Sequence, residues 1–173
     1  MRKGLGGYMM NEYKCLYNNT YETAIRILTL IDKFDRELEL QELIYFDYLL
    51  IHISELEEGL ESLHPANPYH TTEAYSRRNL IQQSLLLLVR KHLIEISYDS
   101  DGMKYKKYSI TRKFLNNFSS DYYRQIDKNS VIILKKFEHS NLNELELFMK
   151  NILNNATDIY ANEILLRGGY FDL

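Results

Sequence analysis

Apolar side chains recur at helical spacing in three stretches of the first half of the chain. The first stretch, Tyr21 to Phe34, follows asparagine and threonine residues suited to capping, and it predicts a helix. A second helix is predicted from about Glu39, and its apolar surface is so wide that the helix should be mostly buried. A third helix is predicted from Thr71 or Thr72 to about His92, with a polar N-terminal half and an apolar C-terminal half.

A β-hairpin is predicted directly after the third helix. Two short runs, Leu93 to Tyr98 and Met103 to Ile110, flank an Asp-Gly turn within Asp99 to Gly102. Three helices followed by such a hairpin are the element order of a winged helix-turn-helix, with the third helix in the recognition position and the hairpin as the wing. The pattern therefore predicts a winged-helix domain over residues 17–110.

Further helices are predicted after the hairpin. Thr111 is expected to cap a short helix, a longer helix should span Asp121 to Phe137, and Ser140 is expected to cap another. A last short segment runs from Asp158 to Leu166. We therefore expect residues 111–173 to form a helical C-terminal extension and residues 1–16 a flexible N-terminal segment, in a protein that is mainly α with a small β-hairpin.

The charge and cysteine content narrow the class of protein. The formal net charge of the 173 residues is −3, which argues against strong autonomous binding to DNA. Cys15 is the single cysteine, so we expect no intrachain disulfide and no cysteine-based zinc site, and a reducing compartment is favoured. No apolar run approaches the roughly 20 residues of a membrane helix, and residues 1–10 lack the apolar stretch of a secretory signal. These features predict a cytoplasmic protein without membrane contact.

Residues able to bind a metal or carry out catalysis are scattered along the chain. The five histidines match no zinc motif. The stretch Gly4 to Gly7 lacks the Lys-Ser/Thr pair of a phosphate-binding loop, and neither Cys15 nor Ser84 has an activating base close in sequence. We therefore expect no metal, no cofactor and no enzymatic activity. An enzyme built on distant histidine and aspartate residues is the alternative ranked last.

Asp47 stands in a strongly apolar stretch of the second helix. A carboxylate in such surroundings is expected to be partly buried and must then find hydrogen-bond partners. We predict a structural role, in which Asp47 caps or clamps the following loop. Its partners would be backbone groups around Ser62 to Pro65 or a basic side chain.

Basic residues on the third helix and the hairpin form a candidate DNA-binding set. The helix carries Arg77 and Arg78, and the hairpin carries Lys104, Lys106 and Lys107, all of which suit phosphate contacts. Acidic residues on the same elements argue against this set, because a basic run on a strand is commonly just a solvated face. Direct DNA contact by this chain is thus one of two interpretations of these residues.

Tyrosine is unusually frequent, with 15 Tyr against 7 Phe. Its large contact area and polar tip suit protein interfaces. Near the C-terminus, Tyr160, Tyr170 and Phe171 are candidate partner-binding residues.

Several short stretches of the sequence resemble those of a known family. The most specific stretch is Glu61-Ser62-Leu63-His64-Pro65, in which His64 and Pro65 are candidate structural residues. The other stretches are Tyr17-Asn18, Asp47-Tyr48-Leu49-Leu50-Ile51-His52, Pro68, Arg77-Arg78 and Leu85-Leu86-Leu87-Leu88. On these stretches, over roughly Tyr17 to Ile110, the chain resembles the middle component of bacterial ABC three-component systems, which include the small subunit of Lamassu-type anti-phage and anti-plasmid defence complexes.

The resemblance implies a subunit that holds other proteins together. In that family a winged-helix subunit binds an SMC/Rad50-like ATPase, which senses DNA ends or structures, and links it to an effector that is often a nuclease. The chain would then be a bridge without an active site, and DNA would be a further contact made through the complex. The second hypothesis is a stand-alone winged-helix transcription regulator, which needs a dimer and a basic recognition face.

Overall fold

Helices make up most of the described protein, and three short strands form an antiparallel sheet. The computed structural model describes residues 19–65, 70–100 and 102–153, with the backbone alone for residues 70–76. The prediction of a mainly α protein with a small β-element is confirmed. The predicted N-terminal segment 1–16, the segment Asp158 to Leu166 and the aromatic residues Tyr160, Tyr170 and Phe171 lie outside the described residues.

Helix α1 spans Thr20–Lys33 and agrees closely with the first predicted helix. Asn19 caps it, because its side-chain oxygen accepts the backbone N–H groups of Tyr21 and Glu22, both at 3.0 Å. These N–H groups have no partner within the helix, so the cap stabilises its first turn.

A short strand, β1 (Leu38–Glu39), comes directly before helix α2 (Leu40–Ile51), and a 3₁₀ turn (Ile53–Glu55) follows that helix. Glu39 and Glu42 form a capping box, in which the Glu42 carboxylate accepts the Glu39 N–H at 2.8 Å. Most side chains of α2 are buried, as its wide apolar surface predicts. The sequence does not predict β1, because so short a strand carries no periodic signal.

Helix α3 spans His70–Arg90 and ends before the predicted His92. A Schellman motif closes it: the Leu93 N–H donates to the Leu88 carbonyl at 3.0 Å, and the His92 N–H donates to the Val89 carbonyl at 2.9 Å. His92 has φ +53°, the left-handed conformation that this motif requires and that glycine usually provides.

The predicted hairpin is confirmed as strands β2 (Ile94–Asp99) and β3 (Gly102–Lys107). The Asp99 carboxylate accepts the Gly102 N–H at 3.1 Å across the turn. Strand β1 pairs with the other edge of β3, so the sheet has the order β1-β3-β2 and is three-stranded rather than the two-stranded hairpin that was predicted.

Three helices follow the sheet: α4 (Thr111–Leu115), α5 (Asp121–Phe137) and α6, described over residues 142–153. Helix α5 has the predicted bounds, and the Ser120 hydroxyl caps it by accepting the Tyr123 N–H at 3.2 Å.

Two of the predicted caps are wrong. Asn141 rather than Ser140 caps α6, because the Asn141 side chain accepts the Glu144 N–H at 3.0 Å while the Glu144 carboxylate accepts the Asn141 N–H at 3.1 Å. Thr111 makes no cap bond to α4. Its hydroxyl instead donates to the Leu93 carbonyl and accepts the Tyr108 N–H, which ties α4 to the end of the sheet.

The core continues from the first three helices into α5. Phe46 of α2 lies between Phe34, at 5.0 Å between ring centroids, and Phe137 of α5, at 5.7 Å. The buried Asn129 of α5 donates to the Leu50 carbonyl of α2 at 2.9 Å. Helix α5 therefore completes the core of the predicted winged-helix region instead of lying outside it.

Candidate functional site

Three charged residues from three helices meet in the interior. Asp47 of α2 is fully buried, and it accepts bonds from Arg26 Nε of α1 at 2.7 Å and from Arg77 Nε of α3 at 3.1 Å. A second Arg26 nitrogen, Nη2, lies 3.3 Å from Asp47 Oδ2, the oxygen that also accepts the bond from Arg77. We call Arg26, Asp47 and Arg77 the buried charge cluster.

Polar groups around the cluster occupy the rest of the Arg26 guanidinium. Its Nη1 donates to Glu22 at 2.9 Å and its Nη2 donates to the Thr23 hydroxyl at 3.0 Å. The Tyr122 hydroxyl of α5 donates to the same Glu22 carboxylate. The network thus extends from the buried charge cluster on α1, α2 and α3 to Tyr122 at the exposed surface of α5.

The electrostatics keep the cluster charged. Burial alone would raise the pKa of Asp47, but attraction to Arg26 and Arg77 and the hydrogen bonds from both outweigh burial and lower that pKa. Burial opposes the charge on Arg26 as well, and Asp47 reverses the effect so that the pKa of Arg26 is raised. Burial and the hydrogen bond to Glu22 raise the pKa of Tyr122 to about 12.

The chemistry open to this cluster is limited by its geometry. A general acid or base works best with a pKa near the working pH and within reach of a substrate. Asp47 has a lowered pKa, no exposed surface and two arginine partners. The cluster is therefore suited to joining helices. A basic side chain was predicted as one possible partner of Asp47, and two are present, Arg26 and Arg77. The bonds described for Asp47 do not involve the Ser62 to Pro65 loop.

Arg77 does not occupy the surface position predicted for a DNA contact. Its side chain is only 6% exposed and is turned toward Asp47, so it offers no free charge to a phosphate group. The neighbouring Arg78 is exposed, and its guanidinium donates to the Gln41 side chain at 3.2 Å. Arg77 is thus unavailable for the DNA contact predicted for it, whereas the DNA contact predicted for Arg78 stays a prediction at an exposed residue.

The three candidate lysines of β3 all have acidic neighbours. Lys104 Nζ lies 2.6 Å from the Asp99 carboxylate, Lys106 Nζ lies 3.6 Å from Glu95, and Lys107 Nζ lies 3.0 Å from Asp35. Lys104 and Lys106 have a second carboxylate within 3.9 and 3.7 Å, from Glu39 and Glu37 respectively. The basic run of β3 is therefore part of a mixed-charge face.

The loop with the family-specific residues lies beside the buried charge cluster. The His64 N–H donates to the Ile51 carbonyl at 3.2 Å, and the His64 ring lies 6.4 Å from that of the buried His52. Burial and the positive charges of Arg26 and Arg77 lower the pKa of His64. Pro65 is exposed. Of the two candidate structural residues, His64 is affected by the charges of Arg26 and Arg77, whereas Pro65 lies in solvent.

An open apolar groove lies between the start of α1, the end of α3 and the segment that leads into α4. Its volume is about 810 Å³, and its apolar lining includes Tyr21, Ile25, Leu87, Tyr108, Ile110 and Phe114. Helical spacing predicts an inward position for Tyr21, yet the side chain is 71% exposed. The sequence could not predict the groove, because its walls come from elements far apart in the chain.

Within residues 19–65, 70–100 and 102–153, no three histidine, cysteine, aspartate or glutamate side chains are grouped as metal ligands. No helix in this part of the chain has the length and apolar character needed to cross a membrane.

The described residues form a small helical protein with a three-stranded sheet. Its helices are joined by a buried charge cluster, and its surface carries an open apolar groove. Residues 16–158 match the family model for the ABC-three component (ABC-3C) system Middle Component 2, and the chain belongs to this family. The match extends beyond the predicted likeness, through the helices that follow Ile110. No curated protein and no solved structure matches the chain.

Proposed function

We propose that this chain is a non-catalytic adaptor of an ABC three-component system, bridging an SMC/Rad50-like ATPase and an effector nuclease as in Lamassu-type defence complexes. The observation that carries the proposal is the family match, which covers residues 16–158 and describes a middle component. A middle component works with the other components of its system, so protein partners follow from the family itself.

The order of the elements supports a winged-helix architecture for the adaptor. Helix, strand, two helices and a hairpin follow one another, and β1 pairs with β3 at the edge opposite β2. In a winged helix the third helix and the hairpin present a surface to the ligand. We assign these roles to α3 and to the β2–β3 hairpin.

The distribution of charge favours protein partners over autonomous DNA binding. Nucleic-acid affinity depends on cations that can neutralise phosphates. Arg77 is buried against Asp47, and Lys104, Lys106 and Lys107 lie beside carboxylates. The net charge of −3 agrees with this distribution. In the proposed adaptor, DNA is contacted through the assembled complex.

Reconstitution with the other components tests the proposal. The full chain carries an affinity tag and is co-expressed with the other components of its system. We expect the chain to form a stable complex with the ATPase and the effector. The purified chain alone should hydrolyse no nucleotide and cut no DNA. Isolation of the chain as a solitary homodimer bound to operator DNA would instead establish the transcription regulator.

A charge reversal on α3 distinguishes the proposed adaptor from a DNA-binding regulator. Arg78→Glu changes an exposed residue of α3, so folding is retained. Arg124→Glu, at a 62% exposed side chain of α5, is the matched control. For an adaptor, DNA affinity of the isolated chain at fixed salt should be weak and equal in both variants, whereas a regulator would lose affinity with Arg78→Glu alone.

A further inference from the structure

We propose that the apolar groove between α1, α3 and α4 binds an amphipathic helix of another component of the system, with an acidic side chain of that helix facing Lys91. The inference rests on the proposed adaptor function and names the surface and the chemistry of the partner. Its basis is the lining of the groove, the charge at its edge and the conformation of His92.

The apolar lining is large and open. Tyr21, Tyr108 and Ile110 are 71%, 42% and 48% exposed, although all three are bulky and lie together on the groove. Contiguous exposed apolar surface is costly in water and marks interaction sites. A volume of about 810 Å³ can take several apolar side chains. Helix-in-groove recognition presents such side chains at positions i, i+3 or i+4, and i+7 of the bound helix.

Charge at the edge of the groove defines the partner more closely. Lys91 and His92 line the groove, and among the residues that the structure describes no aspartate or glutamate does. Lys91 is exposed, and within the described residues no carboxylate lies within ion-pair distance of it, in contrast to the lysines of β3. An unpaired cation beside an apolar surface favours a ligand that carries a carboxylate next to its apolar side chains.

His92 places a side chain at the groove where glycine would suit the backbone better. Its φ of +53° is unfavourable for a residue with a Cβ, and His92 lies at the groove where α3 ends. A glycine at this position would close the helix with less strain but would offer no side chain to a ligand. The conformation thus agrees with a contact made by His92 itself.

Variants at the edge of the groove test the inference in the full-length chain. Ile110→Glu introduces a charge at a half-exposed position of the groove, and Leu147→Glu introduces the same charge at a 63% exposed position of α6 outside it. Each of the other components is titrated onto the wild-type chain and both variants. We expect Ile110→Glu to weaken the binding of one component at least about tenfold and Leu147→Glu to leave it unchanged.

Overlapping peptides are then made from the component whose binding Ile110→Glu weakens. The peptide that competes with this component for the wild-type chain identifies the bound helix. The competing peptide should have apolar residues at helical spacing and an acidic residue beside them. Lys91→Glu should weaken its binding, and a peptide with lysine in place of the acidic residue should restore binding to Lys91→Glu.

Several results would overturn the inference. If every component binds wild-type and Ile110→Glu equally, the groove is not the docking site although the adaptor function stands. If no component binds the wild-type chain, the adaptor function fails and the inference fails with it. A lower melting temperature of isolated Ile110→Glu would show the groove to be filled by the chain itself, and a dimer that this variant dissociates would show it to bind a second copy.

Discussion

Arg77 and Arg78 are adjacent in sequence but differ completely in environment. Arg78 lies in solvent, whereas the Arg77 side chain bonds to Asp47 in the interior. The sequence correctly marks Asp47 as a buried carboxylate, because its neighbours are apolar. Which basic residue balances it depends on how three helices cross, and that information is absent from the spacing of residues in any single helix.

Asp47→Asn should destabilise the protein strongly. The substitution keeps the shape of the side chain but removes the buried negative charge that Arg26 and Arg77 share, which typically costs about 3 to 5 kcal/mol. Asp35→Asn is the control, because Asp35 is 95% exposed and its pair with Lys107 should contribute less than about 1 kcal/mol. Urea denaturation at pH 7 measures both, and similar midpoints for the two variants would contradict a role for the buried charge cluster.

The stability difference between wild type and Asp47→Asn should depend on pH. The pKa of Asp47 is lower in the folded protein than its value of about 3.9 in an unfolded chain, so its contribution to stability is complete above that value and is lost as the pH falls through the folded pKa. The difference in the free energy of unfolding between wild type and Asp47→Asn should therefore shrink on acidification below about pH 4. A difference that grows on acidification would mean that Asp47 is protonated in the fold.

At the scale of elements, the end of α3 shows how a helix stops without a glycine in the sequence to mark the turn. Helical periodicity predicts a helix to about His92, but the chain leaves the helix at Arg90 and turns at His92 into β2. The Schellman bonds and the burial of Leu88 and Leu93 fix this turn. The sequence gives no glycine to signal it, so the end of the helix is set by contacts of Leu88 and Leu93 with the core.

His92→Gly should stabilise the isolated chain by about 1 kcal/mol. Glycine adopts positive φ without the steric cost that a Cβ brings, and no described hydrogen bond of the His92 side chain is lost. Lys91→Gly, one residue earlier and at negative φ, should destabilise by about 0.5 to 1 kcal/mol because glycine adds flexibility to the unfolded chain. Thermal and urea unfolding should show opposite signs for the two variants, and equal signs would contradict the left-handed cap.

At the scale of the whole molecule, α5 belongs to the same core as the first three helices. Its buried Ile126 and Ile133 are part of one apolar cluster with Phe46 and Leu50. The sequence predicts α5 with correct bounds but assigns it to an extension after the predicted winged-helix region. A helical stripe shows only that one face of a helix is covered, not by which element, so the assignment needed the tertiary structure.

Ile133→Ala should lower the stability of the N-terminal half as well as that of α5. Truncation of a fully buried isoleucine typically costs about 2 to 5 kcal/mol, and in a shared core that loss spreads over all elements that contact it. Lys128→Ala, at an exposed position of the same helix, is the control. Amide hydrogen exchange should accelerate in α1 and α2 together with α5, whereas faster exchange in α5 alone would identify a separate unit.

The sequence by itself determined the helices, the hairpin and the burial of Asp47, because each depends on interactions between residues close in the chain or on the apolar character of one short stretch. Tertiary structure alone decided the pairing of Asp47 with Arg26 and Arg77, the third strand, the shared core of α5 and the groove beside Lys91. Each of these arises where elements distant in sequence meet, and their contacts depend on crossing angles and packing that a one-dimensional pattern does not contain.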